Sequence, residues 1–223
     1  MQCKLCKKST KSFYYLRDYS GLKYHVCEKC FKNLQKIKEI DENFICSNNI
    51  LLSSDICLYF RETIGKWKQS TFAYKKALLG KVDNIRSINT VHHFYKRYYD
   101  LLINSFKFLN IEFKNNLEDY TTEELNSITE LLVLLHWYYG QGCVMSEEHH
   151  KLYHQIYRKD KVSEKSIIDF YFGISNTYGK AYEKIISSIA KSRNVRKRLL
   201  YADVYYFDRS SVSKIKQINK KYI

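Results

Sequence analysis

Residues 140–154 are GQGCVMSEEHHKLYH, and residues 91–95 are VHHFY. These two short segments contain five of the seven histidines in a chain of 223 residues. Such a concentration of one titratable residue type predicts that the segments belong to one site, although roughly fifty residues separate them. The organisation of the middle of the chain therefore depends on how they meet.

The later segment has the pattern of a turn, a short strand and a helix start. Gly-Gln-Gly is a turn signal, Cys-Val-Met is a short apolar strand, and Ser146 is a helix N-cap. Glu147 and Glu148 follow it, where acidic side chains suit the positive end of a helix.

The histidine spacing in both segments favours a shared ligand. On the predicted helix, His150 and His154 lie four residues apart on one face, whereas Leu152 and Tyr153 point elsewhere. That spacing can direct two imidazoles at one metal ion or phosphate. Residues 88–95 are predicted to form a strand, in which successive side chains point to opposite faces. His92 and His93 are therefore expected to have different roles.

The two segments resemble those of the HNH endonucleases, also called ββα-metal nucleases, and in particular the phage-type members. The resemblance rests on TVHHFY and GQGCVMSEEHHKLYH, with LHWYYG at 135–140 and QIY at 155–157 extending it. It covers roughly residues 80–172. By position it implies that His92 and His150 bind a divalent cation, that His93 is the general base, and that His154 is a further ligand or phosphate contact. His136 is the residue placed to substitute for the family's middle Asn, in a supporting role.

The resemblance implies a metal-dependent DNA endonuclease, by analogy a phage homing endonuclease. Hydrolysis of a phosphodiester needs a base for water and compensation for the negative charge that develops. A neutral imidazole suits the first task and a divalent cation the second. We expect Mg2+, or Mn2+, at the histidine site and double-stranded DNA as the partner. The oligomeric state stays open.

Four cysteines near the N-terminus predict a structural zinc site. Cys3-x2-Cys6 and Cys27-x2-Cys30 form two knuckles, and residues 12–16 and 22–26 between them have the pattern of a hairpin. This arrangement is typical of a zinc ribbon with Zn2+ bound by four thiolates. A redox pair and ordinary core cysteines are the alternatives.

The chain carries a net charge of +15, from 38 Lys and Arg against 23 Asp and Glu. A polyanionic partner is the default explanation of such an excess, because neutralised phosphates release counterions. An AT-rich coding sequence is the alternative explanation. No apolar run has the ~20 residues of a membrane span, and there is no signal-peptide pattern at the start. We expect no membrane contact and a cytoplasmic location, in the host cell if the gene belongs to a phage.

The last part of the chain is predicted to bind DNA. From residue 191 onward there are ten Lys and Arg and two Asp. A helix is expected over 181–189, and Ser210 and Ser211 are expected to begin a final helix containing Val212, Ile215 and Ile218. The candidate DNA contacts are Arg193, Arg196, Lys197, Arg198, Lys214 and Lys216. A solvated charged face is the alternative.

The remaining segments are predicted to be mostly helical. A helix capped at residues 53–55 is expected to extend to Trp67, which either packs in the core or lines a nucleic-acid surface. Helices are also expected over 99–109 and from Thr121 to Leu135. Cys46 and Cys57 are predicted to be small core residues, and residues 79–81 are predicted to form a turn.

The predicted fold class is α+β. It comprises a zinc-ribbon hairpin, a ββα-metal nuclease core with a helical insertion, and a mainly helical, basic C-terminal section. The predicted domains are a zinc ribbon at 1–35, a helical connector at 36–80, an HNH-like nuclease unit at 81–175 and a DNA-binding section at 176–223.

Two other functions remain open. In one, the chain is a non-catalytic DNA-binding protein whose histidines hold a second structural zinc. In the other, the abundant tyrosines stack on single-stranded RNA. The metalloprotease pattern His-Glu-x-x-His is absent from the sequence.

Overall fold

A computed structural model of the protein describes residues 1–17, 23–70, 79–81, 89–140, 142–157, 163–174, 181–200, 203–207 and 215–218. The described strands are β1 Ser12–Arg17, β2 Lys23–Val26, β3 Leu79–Lys81, β4 Asn89–His93, β5 Gly142–Ser146, β6 Asp203–Phe207 and β7 Ile215–Ile218. The described helices are α1 Glu28–Leu34, α2 Glu42–Ser47, α3 Asp55–Ser70, α4 Tyr98–Leu109, α5 Thr122–Tyr139, α6 Glu147–Ile156, α7 Glu164–Gly173 and α8 Ala181–Leu200. The α+β prediction is confirmed.

Two sheets organise the strands. The first has the order β2-β1-β6-β7 and is antiparallel throughout, so strands from the two ends of the chain share one sheet. The second has the order β3-β5-β4. Its central strand β5 pairs antiparallel with β4 and parallel with β3. The α6 helix begins directly after β5.

Two apolar clusters hold the elements together. The larger one joins the cysteine hairpin and α1 to α3, α4 and α5 through residues such as Leu16, Phe31, Phe60, Leu102 and Leu131. The smaller one lies beneath the second sheet and contains Met145 of β5, Tyr153 of α6, Phe170 of α7 and Ile185 of α8. The histidine-bearing strand β4 belongs to this sheet, and the histidine-bearing helix α6 packs with α7 and α8 in the cluster beneath it.

Several local predictions are confirmed. The hairpin strands β1 and β2 occupy the predicted segments. Thr121 caps α5, and its hydroxyl accepts from the Glu124 N–H while the Glu124 carboxylate accepts from the Thr121 N–H. Cys57 is buried, as predicted, and Trp67 packs against the larger cluster, which supports the core interpretation.

Other local predictions are wrong. Cys46 is exposed, because α2 buries none of its residues. Residues 79–81 form a strand instead of the predicted turn, since their backbone groups pair with β5. Ile215 and Ile218 belong to β7 and not to a helix, so the C-terminal section combines the long α8 helix with two strands. Ser210, Ser211 and Val212 lie outside the described residues. Within the described parts of the chain, no helix combines the length and the apolar character needed to cross a lipid bilayer.

Candidate metal centres

The four predicted zinc ligands come together at the base of the N-terminal hairpin. Cys3, Cys6, Cys27 and Cys30 each offer a sulfur, and these atoms lie within 4.8 Å of one another. We call these residues the four-cysteine group. The Sγ atoms of Cys6 and Cys27 are 3.8 Å apart. Tetrahedral Zn–S bonds of ~2.3 Å require sulfur separations of ~3.8 Å, so the group fits a zinc ion.

Backbone hydrogen bonds favour the thiolate form of Cys3, whereas burial raises the pKa of Cys27 and Cys30. The Cys27 N–H donates to the Cys3 Sγ at 3.3 Å. Burial opposes ionisation of Cys3, but backbone hydrogen bonds from Cys6, Cys27 and Leu5 outweigh it and lower the pKa to about 7. A thiolate is the form that binds a metal ion.

The second centre is formed by His92 of β4 and by His150 and His154 of α6. Their ligand nitrogens lie within 4.8 Å of one another. The ring centroids of His92 are 5.4 Å from His150 and 5.3 Å from His154, and the two helix histidines are 4.6 Å apart. We call these three residues the histidine triad. The sequence prediction that the two segments meet is thus confirmed.

Local structure explains why the triad forms. The Ser146 hydroxyl accepts from the His149 N–H at 3.1 Å and caps α6, which places residues 150 and 154 on the face toward β4. In the β4–β5 register, His92 is opposite Cys143 and His93 is opposite Gly142. A Cβ at residue 142 would lie 2.1 Å from the His92 carbonyl oxygen, so only glycine permits this approach of the strands.

The electrostatics of His92 suit a metal ligand. Its side chain is only 3% exposed, and burial, followed by the charges of His150 and His154, lowers its pKa to about 3. Its Nε2 is buried without a hydrogen-bond partner among the described residues. Burial followed by the charge of His154 also lowers the pKa of His150, although Glu147 acts in the opposite direction. Neutral imidazoles with buried lone pairs are what a cation binds, so these side chains fit one.

Tyr153 holds the His92 ring in place. Its own side chain is fully buried, with the ring centroid 4.6 Å from that of His92 and the hydroxyl 2.6 Å from the Ser166 Oγ. The prediction that Tyr153 points away from the histidines is wrong, because its large ring reaches beneath β4. Leu152 does point away and is 40% exposed.

His93 has different neighbours. Its Nδ1 is 2.6 Å from the Gly140 carbonyl oxygen, and its ring centroid is 6.1 Å from that of His136. A carbonyl only accepts, so Nδ1 carries the proton, and in the neutral ring Nε2 has the basic lone pair. This hydrogen bond fixes the orientation of the ring and leaves Nε2 as its basic nitrogen. Sequence reasoning identifies His93 but assigns Gly140 only to a turn.

His136 supports this region from the protein interior. Its ring is fully buried, and its Nδ1 donates to the Leu132 carbonyl at 2.8 Å, one turn earlier in α5. A Cβ at Gly140 would lie 2.8 Å from the His136 Cδ2. His136 therefore lies beside His93 and under Gly140, and it is not one of the triad residues.

The candidate DNA contacts are only partly described. Arg193 on α8 pairs with Glu164 of α7, with its Nη2 2.5 Å from the carboxylate, so this arginine ties two helices together. Lys197 on the same helix is exposed. Arg196 and Arg198 lie on α8 and Lys216 on β7, whereas Lys214 lies outside the described residues.

No protein-family model, curated protein or solved structure matches this chain.

Proposed function

We propose that the protein is a metal-dependent DNA endonuclease of the HNH type, of the phage homing class. The observation that carries the proposal is the hydrogen bond from the His93 ring to the Gly140 carbonyl. His93 lies on the same strand as His92, which belongs to the triad. Adjacent Cα atoms are ~3.8 Å apart, so an oriented base and a cation-binding group originate at neighbouring positions.

The residues divide the chemistry between them. A divalent cation at His92, His150 and His154 would supply Lewis-acid stabilisation of the negative charge that develops on the phosphodiester. His93 accepts the proton of the attacking water at Nε2, because Nδ1–H is already donated to Gly140. The carbonyl then stabilises the imidazolium that results, since both ring nitrogens donate in the charged form.

The surrounding structure supports the same proposal. The order of two antiparallel strands followed by a helix is the order that the ββα-metal resemblance implies. The net charge of +15 suits a phosphate-rich partner. The four-cysteine group would hold Zn2+ as a structural ion, because all four coordination positions are filled.

The test is cleavage of duplex DNA by the purified protein. Supercoiled plasmid and a linear duplex carrying the flanks of the gene's own insertion point are incubated with Mg2+, with Mn2+ or without a divalent ion. We expect nicking or cutting only with the ion, and its loss in His92→Ala but not in His25→Gln, which changes a histidine outside the triad. Absence of cleavage with every ion would overturn the proposal.

The all-imidazole composition of the triad favours a second candidate, a non-catalytic DNA-binding protein with two structural zinc ions. Three imidazoles suit Zn2+ better than Mg2+. Two tightly bound zinc ions per chain, together with duplex binding and no Mg2+-dependent nicking, would favour this candidate.

A further inference from the structure

The end of helix α5 connects the four-cysteine group to the residue that holds His93. Tyr139 is the last residue of α5, and its hydroxyl donates to the Leu34 carbonyl at 2.9 Å. Leu34 is the last residue of α1, where helical carbonyls have no partner within the helix. The Tyr139 hydroxyl therefore satisfies a buried acceptor that the α1 helix leaves open.

The other end of α1 belongs to the four-cysteine group. Cys27 is the N-cap of α1 and Cys30 lies in its first turn. Both cysteines belong to the group of sulfurs that fits a zinc ion. A short helix thus runs from the zinc site to the hydroxyl of Tyr139, and Leu34 and Tyr139 are both buried.

The residue after Tyr139 is Gly140, whose carbonyl accepts the hydrogen bond from His93. The Gly140 N–H donates to the His136 carbonyl at 3.0 Å, so Gly140 continues the hydrogen-bonding pattern of α5. The position of its carbonyl therefore follows the position of the helix end. That helix end is fixed to α1 by Tyr139.

We propose that Tyr139 is a positioning residue for His93, which clamps the end of α5 to the helix of the four-cysteine group and so fixes the Gly140 carbonyl. The inference rests on the proposed nuclease function. A displacement of ~1 Å at a reacting group can cost ~100-fold in rate. Removing the hydroxyl leaves the buried Leu34 carbonyl without this donor, so some loss of stability is expected as well. A control variant that loses a similar hydrogen bond is therefore needed to separate the effect on rate from the effect on folding.

The experiment compares Tyr139→Phe with Tyr120→Phe. Tyr120 is a buried tyrosine of the same apolar cluster whose hydroxyl also bonds backbone groups, those of Glu112 and Lys114. We expect Tyr139→Phe to lower kcat for duplex cleavage at least ~10-fold with KM within ~2-fold. Tyr120→Phe is expected to cleave at the normal rate. Both variants should keep one zinc ion in the four-cysteine group.

A double-mutant cycle separates positioning from a general loss of structure. In a His93→Ala background, measured by single-turnover cleavage at high protein concentration, Tyr139→Phe should cause no further loss of rate. If Tyr139→Phe lowered the cleavage rate equally in the wild-type and His93→Ala backgrounds, or in neither, the inference would be overturned. If the wild-type protein does not cleave DNA at all, the proposed function fails first.

A measurement that does not need cleavage activity distinguishes failure of the positioning role from failure of the proposed function. The Nδ1–H of His93 is hydrogen-bonded, so its proton resonance should be protected from solvent exchange in the wild type and in Tyr120→Phe. We expect faster exchange in Tyr139→Phe. Identical exchange in all three proteins would contradict the positioning role even if no DNA substrate has been found.

Discussion

His92 and His93 are neighbours in sequence, yet the structure places them in different chemical surroundings. His92 lies against α6 on the ring of Tyr153, and its low pKa keeps it neutral. His93 donates to a backbone carbonyl at the end of α5. The pleat of one strand thus separates the imidazole of the histidine triad from the imidazole that is hydrogen-bonded to Gly140.

The first prediction concerns the base. His93→Ala should lower the rate of DNA cleavage ~100- to 10,000-fold, the usual contribution of a general base. Duplex affinity, measured by fluorescence anisotropy in Ca2+, should stay within ~2-fold because the triad is intact. Cleavage at the normal rate would show that His93 is not the base.

The second prediction concerns the response of His92 to acid. Its pKa is about 3 in the folded protein, against ~6.5 in the unfolded chain. Between these values the unfolded state binds the extra proton, so stability falls as pH falls. From pH 7 to 5 the free energy of unfolding should decrease by ~2 kcal/mol through this residue.

Denaturant titrations of protein with zinc only in the four-cysteine group would measure this decrease. His92→Gln should remove it, whereas His25→Gln should retain it. The same acid sensitivity in His92→Gln and the wild type would contradict the burial argument.

At the residue scale, helical spacing is enough to predict that His150 and His154 share one face, since they are four residues apart. His92 lies on a strand, and only the family resemblance predicted it as the third ligand. The role of Gly140 could not be predicted, because a backbone carbonyl has no side-chain signature. The contact between Tyr153 and His92 could not be predicted from the sequence either. That contact depends on how far a large ring extends from α6 toward β4, which spacing alone does not reveal.

At the scale of elements, the site depends on the close approach of β4 and β5. A methyl group at residue 142 would meet the backbone of His92, which cannot move aside as a side chain could. The third prediction is therefore that Gly142→Ala lowers the free energy of unfolding by more than ~2 kcal/mol. It should also abolish metal binding by the triad, as judged by isothermal titration with Mn2+.

Gly65 is the matched control, because it lies within α3 and a Cβ there meets nothing within 4 Å. Gly65→Ala should raise stability by ~0.5–1 kcal/mol through helix propensity. If Gly142→Ala and Gly65→Ala changed the free energy of unfolding in the same direction, the steric explanation would be ruled out.

Elements with local signals were predictable, and elements that depend on distant partners were not. The α5 start was predictable because the capping pair Thr121 and Glu124 is local in sequence. The strands β3 and β7 were not, because strand formation depends on the neighbouring strand and its packing. In β7, the spacing of Ile215 and Ile218 favours a helix, but the segment pairs with β6.

At the scale of the molecule, the hairpin and α1, which carry the four-cysteine group, share an apolar cluster with α3, α4 and α5. The predicted division into domains stays a prediction, but this shared core predicts a coupled response to metal loss. The fourth prediction is that removing zinc from the four-cysteine group destabilises the whole cluster in one transition. Structural zinc contributes many kcal/mol, so the Tm should fall by on the order of 10 °C or more.

The two tryptophans, Trp67 and Trp137, both pack in this cluster, so their emission reports the transition. A chelator titration in a His92→Ala, His150→Ala background isolates the ion of the four-cysteine group from the triad. An unchanged tryptophan transition after zinc removal would show that the hairpin and α1 fold independently.

The pairing of β1 with β6 has a consequence for how the protein is made. Ser12 is opposite Tyr206, so roughly 190 residues must leave the ribosome before the first strand meets this neighbour. At translation rates of ~5–20 residues per second, that strand waits ~10–40 seconds with one edge unprotected. Nascent chains stalled before residue 203 should consequently be the most prone to aggregate and the most dependent on chaperones.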